Sequence, residues 1–325
     1  MGNTFSQHFP PTPQFTEANV PDLTGKIYIV TGSNTGVGRE VAQILYSKHA
    51  TVWIACRNEA KAEAAIDAIS QQHPSSKGKL KFLSLNLSDL STIASSAETF
   101  LSQESRLDVL FNNAGVMMPP PGSKTEQCHD LELGVNCLGP FLFTKLLTPI
   151  LKKSAESAPK GSVRVVWVSS SAADAMSPSG GVVLDNLDYK VDKNVYHKYG
   201  VSKAGNYFHA TQFARLYKPD GVISIPLNPG NLLTELDRSS SWWVVFGRWL
   251  VCYAPIYGAY TEIFAAFSSD IGIHNTGAWI VPWGRFASIR EDVRLGSLTL
   301  AEGGTGTAER FWEWSEEQVK PYTTA

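Results

Sequence analysis

The chain has 325 residues, of which 43% are hydrophobic and 18% are charged, a composition typical of a folded globular protein and not of a disordered one. Its formal net charge is -2, and it has no basic patch or stripe of the kind that phosphate binding requires. These properties argue against nucleic acid as a main partner and favour a small-molecule site.

The cysteines and histidines give no sign of a metal site. The four cysteines lie far apart and the seven histidines show no HxxxH or HExxH spacing, so we expect reduced thiols and no bound metal. The chain also lacks a signal peptide at its start and a run of 18 apolar residues, which predicts a soluble, cytoplasmic protein. The cysteines are Cys56, Cys128, Cys137 and Cys252.

Residues 1–22 contain four prolines and little periodicity, which predicts an extended N-terminal arm. The segment KIYIVTG that follows is a short β-branched run ended by glycine, and GREVAQILYSKHA has apolar residues at helical spacing. Together these segments predict a strand, a turn and a helix.

The same alternation continues along the chain. Strands are predicted at TVWIA, LKFLSL, LDVLFNN, SVRVVWVSS and GVISIPLNP, with helices between them. Alternating strands and helices favour parallel pairing through right-handed crossovers. The sequence therefore predicts an α/β fold: a doubly wound, Rossmann-type parallel sheet of about seven strands with helices on both faces, forming one domain over residues 23–325.

The segment TGSNTGVG lies between the first strand and the first helix. Gly32 permits a tight turn, Gly36 lets the backbone approach a pyrophosphate, and Gly38 permits close helix packing, while the helix N-terminus offers its amides to phosphate. This context predicts a dinucleotide-binding turn. Its predicted cofactor contacts are Gly32, Ser33, Asn34, Thr35, Gly36, Val37 and Gly38.

The end of the second strand indicates which dinucleotide binds. Proteins that bind NAD often carry an acidic residue there for the ribose 2'-hydroxyl, whereas this chain has Cys56 and Arg57. A guanidinium makes charge-assisted hydrogen bonds to phosphate oxygens, and Lys61 follows one turn later. The sequence therefore predicts NADP(H) as the cofactor.

Polar residues at other strand ends complete a candidate active site. In YGVSK, Tyr199 and Lys203 are four residues apart and share one helix face, where an ammonium favours the phenolate and lowers the pKa of the phenol. Serines end the strand RVVWVSSS, NNAG follows the preceding strand and NPG follows the next one. The carboxyl ends of parallel strands converge on one crevice, so we expect these residues to lie together.

From about Asp22 to at least Thr234 the sequence resembles the short-chain dehydrogenase/reductase superfamily. The resemblance is carried, in the family's order, by TGSNTGVG, ACRN, NNAG, GVNCLGPF, VSSS, YGVSK and NPGNLLT. NNAGVMM and GVNCLGPFLFTKLL are similar to retinol-dehydrogenase-like reductases and to related enzymes of filamentous fungi.

The resemblance implies a role for four catalytic residues. Tyr199 would be the acid/base, Lys203 would lower its pKa and bind the nicotinamide ribose, Ser170 would polarise the substrate carbonyl, and Asn136 would hold a water in a proton relay. It further implies a homodimer or tetramer packed through the helices that follow the fourth and fifth strands. The remaining implied cofactor contacts are Asn86, Leu87, Asn113, Ala114, Gly115, Pro229, Gly230, Leu232 and Thr234, beside Tyr199 and Lys203.

The chain departs from the family pattern at two places. Asn86 stands where many relatives have an aspartate for the adenine amino group, and we expect its side-chain oxygen to accept one such hydrogen bond. The segment GSKTEQCHDLELGVN lacks the Asp-Gly pair common in relatives, a change expected at the rim of the substrate site.

The aromatic-rich residues 236–258 allow two interpretations: an apolar lid over a bulky substrate, or packing in the core or a subunit interface. The terminal segment ERFWEWSEEQV predicts a helix with an apolar face, which closes over either the pocket or a partner subunit. The aromatic residues concerned are Trp242, Trp243, Phe246, Trp249, Tyr253 and Tyr257.

The sequence thus predicts a reductase or dehydrogenase, dependent on NADP(H), for a carbonyl or secondary alcohol of a bulky lipophilic or aromatic molecule, and the resemblance favours a role in fungal secondary metabolism. The same residues serve both directions of the reaction. A dinucleotide-binding regulator or scaffold without turnover is the alternative, because a fold does not by itself imply an activity. Gly2 and Ser6 also fit an N-myristoylation pattern, although one acyl chain gives only marginal membrane binding.

Overall fold

The computed structural model describes residues 2–233 and 252–323. Eight strands form one sheet in the order β3-β2-β1-β4-β5-β6-β7-β8, which confirms the predicted fold class with one strand more than expected. All pairs are parallel except β7 and β8, a short antiparallel hairpin at the edge. The strands are β1 (Ile27–Thr31), β2 (Thr51–Cys56), β3 (Lys79–Ser84), β4 (Val109–Asn112), β5 (Arg164–Val168), β6 (Ile223–Leu227), β7 (Trp279–Val281) and β8 (Arg285–Ala287).

Helices cover both faces of the sheet. The α-helices are α1 (Gly2–His8), α2 (Gly36–Ser47), α3 (Glu59–Gln72), α4 (Leu90–Gln103), α5 (Leu131–Leu133), α6 (Gly139–Ser157), α7 (Ala172–Ala175), α8 (Val195–Tyr217), α9 (Pro255–Phe267), α10 (Glu291–Ser297) and α11 (Thr307–Val319). Apolar side chains of α2, α3 and α9 form the core on one face, and those of α4, α6 and α8 form the core on the other. The central strands are buried on both sides, as their continuous apolar runs require.

The N-terminal segment differs from the extended arm that the prolines suggested. Its first residues form α1, which ends before Pro10 because a residue that precedes proline disfavours helical backbone. The segment then runs beside α9, where the ring of Phe15 meets Phe264 edge-on at 5.6 Å between centroids. Val20 and Leu23 are buried in the same core. The segment is therefore held along the domain from α1 to β1.

The C-terminal helix α11 packs on its own chain, across α6 and α8. Trp312 meets Phe141 of α6 at 4.7 Å between ring centroids. His209 of α8 hydrogen-bonds Ser315 through Nε2 at 2.8 Å, and burial lowers the pKa of this histidine to about 3, which keeps it neutral. The predicted terminal helix is present, and its apolar face covers these two helices.

One helical stretch, Leu131–Ser157, has the length and apolar composition of a membrane span, contrary to the expectation from the sequence. However, 83% of its most apolar 18-residue portion is buried inside the protein. It is the central helix on one face of the sheet, and its apolar character is explained by that burial.

Candidate active site

The turn between β1 and α2 has the form of a dinucleotide-binding turn. Gly32 and Gly36 adopt positive φ angles of 69° and 58°, which favour glycine. A Cβ on Gly38 would lie 2.4 Å from the Asn113 amide nitrogen and 2.9 Å from the Gly32 carbonyl, so only glycine fits there. Thr35 begins the helix without a capping hydrogen bond to any described residue, which leaves the first amides of α2 open to a phosphate.

The ends of β1 and β4 are tied together beside this turn. The Thr31 hydroxyl donates to the Phe111 carbonyl at 3.1 Å and accepts from the Ala114 amide at 2.9 Å. The Asn113 side chain donates to the Thr31 carbonyl at 2.7 Å. Ser33, predicted as a cofactor contact, is fully buried, and its hydroxyl donates to the Val30 carbonyl. The side chains of Asn113 and Ser33 therefore stabilise the shape of the turn.

Arg57 is exposed immediately after β2 and has no hydrogen bond or ion pair with the described part of the chain. The next residue, Asn58, begins α3 by accepting a hydrogen bond from the Lys61 amide at 2.9 Å. The helix is therefore capped by asparagine, and the guanidinium stays available to a ligand.

Asn86 does not offer its side-chain oxygen as the sequence suggested. This oxygen accepts from the Ser88 amide at 3.2 Å and from the Ser88 hydroxyl at 2.7 Å. The NH₂ group of the Asn86 side chain remains. It can only donate a hydrogen bond, so it cannot accept one from the amino group of adenine. The neighbouring Leu87 is buried, and its carbonyl lies against Gly139 of α6, where a Cβ would come within 2.7 Å.

Ser170, Tyr199 and Lys203 lie together at the carboxyl end of β5. The Ser170 hydroxyl hydrogen-bonds the Tyr199 phenol, and the Lys203 ammonium lies 5.7 Å from the centre of the Tyr199 ring. Lys203 also donates to the Val168 carbonyl at 3.1 Å. The adjacent Ser169 is buried and donates its one hydroxyl hydrogen to the Lys203 carbonyl at 2.6 Å, so Ser170 is the better placed of the two serines to donate to a substrate.

Asn136 lies in a π turn, Gly134–Leu138, that joins α5 to α6. Its amide nitrogen donates to the Val116 carbonyl at 3.0 Å and to the Ser202 hydroxyl at 2.9 Å, and its oxygen accepts from the Val116 amide at 2.8 Å. A Cβ on Gly115 would lie 3.1 Å from this oxygen and 3.4 Å from the Lys203 ammonium. All four residues predicted as catalytic therefore meet at the ends of β4 and β5, where π turns often mark functional sites.

The pKa values of Tyr199 and Lys203 differ from the expectation that the lysine lowers the pKa of the tyrosine. Burial raises the pKa of Tyr199 to about 12, an increase that the Ser170 hydrogen bond opposes and the nearby charge of Glu132 reinforces. Burial lowers the pKa of Lys203 to about 8, while ionisation of the neighbouring Cys137, Glu132 or Glu262 would act in the opposite direction. Near neutral pH the phenol therefore keeps its proton.

Two buried carboxyl groups near Lys203 were not identified from the sequence. Glu132 accepts from the Met118 amide at 2.6 Å, and burial raises its pKa to about 7. Glu262 of α9 is fully buried without a hydrogen-bond partner among the described residues, and burial raises its pKa to about 8. The i,i+4 spacing of Glu132 and Asn136 is a signal that would have identified the first, whereas nothing local to α9 distinguishes the second.

The turn that follows β6 lies beside an aromatic cluster. Gly230 has a φ of 98°, and a Cβ there would lie 2.6 Å from the Trp283 ring. Leu232 is buried and pairs with Tyr253 across a β-bridge. Tyr253 and Tyr257 lie 5.0 and 5.2 Å from Trp283 between ring centroids, which favours core packing for this part of the aromatic segment. Thr234 and the aromatic residues between 236 and 251 lie outside the described residues.

The fold and the site together define an oxidoreductase that acts on CH–OH or C=O groups. A family model described as short chain dehydrogenase matches residues 26–182. A short-chain dehydrogenase/reductase of Phomopsis amygdali is 54% identical over 99% of this chain and 98% of the relative, and bet4 of Neocamarosporium betae is 44% identical over 99% and 94%. An uncharacterized protein from Mycobacterium paratuberculosis shares the fold, with a TM-score of 0.69, 25% identity and coverage of 94% and 97% of the two chains. The chain belongs to the short-chain dehydrogenase/reductase family, whose members use a nicotinamide dinucleotide and act on small molecules.

Proposed function

We propose that this protein is an NADP(H)-dependent reductase that converts the carbonyl group of a bulky lipophilic or aromatic small molecule into a secondary alcohol. The observation that carries the proposal is the convergence of Ser170, Tyr199, Lys203 and Asn136 beside the glycine turn. A regulator or scaffold that only binds the dinucleotide has no physical need for these four groups in one place.

The residues of the turn fit a dinucleotide. The open amides of α2 suit a pyrophosphate, and Gly38 keeps the backbone free of side-chain atoms. When bound, the nicotinamide exchanges a hydride with the substrate carbon. The free guanidinium of Arg57 and the lack of a carboxylate from Cys56 to Asn58 support NADP(H) over NAD(H), because the 2'-phosphate is an anion.

The protonation states favour reduction. Since the pKa of Tyr199 is raised to about 12, its phenol is an acid at neutral pH and can donate a proton to the substrate oxygen. When a substrate is bound, the Ser170 hydroxyl donates its one hydrogen to the same oxygen, in place of its hydrogen bond with the phenol. Lys203, held by the Val168 carbonyl, supplies positive charge beneath the phenol. Both donor hydrogens of the Asn136 amide are used, so any contribution to a proton relay rests on its remaining acceptor capacity.

A fluorescence titration of NADPH and NADH tests the cofactor assignment. We expect NADPH to bind more tightly than NADH, and Arg57→Ala to weaken NADPH binding by about 10-fold or more while NADH binding is unchanged, since one charge-assisted pair to a phosphate is lost. Lys160→Ala is the control, because this exposed lysine lies before β5 at the opposite end of the sheet. Preferential binding of NADH would overturn the assignment of Arg57.

Turnover is tested by NADPH oxidation with ketones of increasing size. We expect activity with bulky aromatic ketones and its loss, by about 100-fold or more, in Tyr199→Phe, which removes the proton donor. Binding of NADPH without turnover of any carbonyl compound would instead support the regulator or scaffold.

The cellular setting is a further part of this proposal. Similarity to fungal enzymes supports a role in secondary metabolism, and the composition favours the cytoplasm over a membrane. Intact mass of the natively expressed protein tests the alternative of a myristoylated Gly2, and cell fractionation tests its location. An acyl-modified chain in the membrane fraction would contradict the cytoplasmic assignment.

A further inference from the structure

The N-terminal helix α1 lies at the carboxyl edge of the sheet, among the segments that carry the candidate active site. The Asn228 side chain, directly after β6, donates to the Gln7 side-chain oxygen at 2.9 Å. The Arg285 guanidinium donates to the Ser6 carbonyl at 2.7 Å. Gln7 is only 6% exposed, although it stands seven residues from the start of the chain.

Gln7 also reaches the segment that follows Ser170. Its side chain hydrogen-bonds the Asp174 carboxylate in α7. The same helix begins at the Ala172 amide, which donates to the Ser170 hydroxyl oxygen at 3.2 Å. Asp174 therefore lies within about one helical turn of Ser170, the serine that is predicted to hold the substrate oxygen.

The hydrogen bond from Asn228 joins Gln7 to the part of the site that is predicted to bind the cofactor. Asn228 uses its amide nitrogen for Gln7, and its oxygen accepts from the Gly230 amide at 3.0 Å. Gly230 belongs to the turn that the family resemblance assigns to cofactor binding. Gln7 therefore connects, through one side chain, the segment after β5 with the segment after β6.

The chemistry of this connection requires an amide. Asn228 presents a donor and Asp174 presents an acceptor, so the residue between them must accept on one side and donate on the other. An ionised glutamate at this position would repel Asp174. An apolar residue would leave the buried Asn228 amide nitrogen without its acceptor, and Asp174 would keep only the Arg290 amide as a donor among the described residues. Glutamine meets both requirements without a net charge.

On the basis of the proposed function, we propose that Gln7 is a positioning residue, through which α1 forms part of the active-site wall and fixes the spacing between Ser170 and the Pro229–Gly230 turn. Its position at the carboxyl ends of β5 and β6 is where open α/β sheets bind ligands. The N-terminal segment is thus an integral part of the substrate site.

Hydrogen–deuterium exchange on the full-length protein tests this role without any need for turnover. In Gln7→Met, which keeps the size and removes both hydrogen bonds, we expect exchange to rise by about 10-fold at the amides of Ala172 and Gly230 and to stay unchanged in β1 and α4. Gln7→Glu keeps the acceptor for Asn228, so Gly230 stays protected while Ala172 exchanges faster. Gln14→Ala is the matched control, because this glutamine of the same segment is exposed and bonds only the Thr12 carbonyl among described residues.

Steady-state kinetics with a ketone that the wild type reduces supply the second measurement. We expect Gln7→Met to raise KM by about 10-fold with a smaller change in kcat, because the reacting groups remain and their spacing is loosened. Unchanged exchange at Ala172 and Gly230, or an equal increase throughout the sheet, would overturn the proposal. If the wild type reduces no carbonyl, the proposed function fails, whereas the exchange experiment still decides the role of Gln7.

Discussion

At the scale of single residues, Glu132 couples the loop after β4 to the charges of the active site. Burial, reinforced by the charge of Asp130, raises the pKa of its carboxyl group from 4.5 to about 7, against the opposing effects of the Met118 hydrogen bond and of Lys203 and Lys198. The folded protein therefore holds a proton that the unfolded chain releases at lower pH. The associated stability is fully present below about pH 4.5 and is lost as the pH rises to about 7.

Glu132→Gln should remove this pH dependence. Above pH 7 we expect the variant to be more stable than the wild type, by up to about 3 kcal/mol, because the buried charge is gone while an acceptor for the Met118 amide remains. Urea unfolding between pH 4 and 9 measures the difference. The exposed Glu126→Gln is the control, and parallel pH curves for wild type and Glu132→Gln would contradict the prediction.

The same substitution should change the pH profile of catalysis. The charge of Glu132 raises the pKa of both Tyr199 and Lys203, so its removal lowers both. We expect the alkaline limb of kcat/KM for ketone reduction, where Lys203 loses its proton, to move to lower pH in Glu132→Gln. An alkaline limb at the same pH in the variant and the wild type would show that the Glu132 carboxylate does not change the pKa of Tyr199 or Lys203.

The candidate site residues that the sequence predicts are those that carry a local signal. Tyr199 and Lys203 stand four residues apart, Ser170 follows a buried strand, and the structure brings the three residues together. The side-chain oxygen of Asn86, predicted to meet adenine, accepts from Ser88 in the structure, because this short polar side chain lies only two residues away. Gln7 carries no such signal, because its partner Asn228 is 221 residues away in the chain.

At the scale of secondary-structure elements, Arg164 joins β5 to the end of α9. It is buried and donates four hydrogen bonds, all to backbone carbonyls: Gly161 at 2.9 Å, Ala265 at 2.9 Å, Ser268 at 3.1 Å and Ile271 at 3.1 Å. A cation at a helix C-terminus also interacts favourably with the helix dipole. This arginine therefore satisfies carbonyls that the helix itself leaves unpaired.

Arg164→Met should destabilise the protein by about 2 to 4 kcal/mol, because several buried carbonyls lose a charged donor. Chemical denaturation measures this change. Arg310→Met serves as the control, with an expected effect below about 0.5 kcal/mol, because this arginine is exposed and its side chain makes one hydrogen bond within the described residues, to Thr305 at 3.3 Å. NADPH affinity of the folded variant should be unchanged, since Arg164 begins β5 at the amino edge of the sheet. A loss of affinity without a loss of stability would contradict this assignment.

Elements with strong periodicity or long apolar runs were predicted, and short ones were not. The strands β1 to β6 are runs of four to six residues bounded by turn signals, and all except the edge strand β3 are largely buried. By contrast, β7 and β8 have three residues each, and α1 has seven, too few for a periodic pattern to be recognised. The tertiary contacts of α1, not its local sequence, explain its position.

At the scale of the whole molecule, α11 bears on assembly. The family resemblance predicts a homodimer or tetramer packed through the helices after the fourth and fifth strands, which are α6 and α8. In this chain α11 lies across both helices: Phe311 is fully buried, Trp312 packs on Phe141, and Lys145 pairs with Glu316. Part of the apolar surface of these two helices is thus covered within the chain.

We therefore predict that the full-length protein does not associate through α6 and α8. Sedimentation velocity at micromolar concentration should give the mass of one chain, 35.5 kDa, unless another surface mediates assembly. If a dimer forms, lysine cross-linking distinguishes the surfaces, because Lys145 and Lys152 lie on α6. Cross-links between copies at these lysines would contradict the prediction, whereas a dimer without them would place the interface elsewhere and leave α11 as an intramolecular cover.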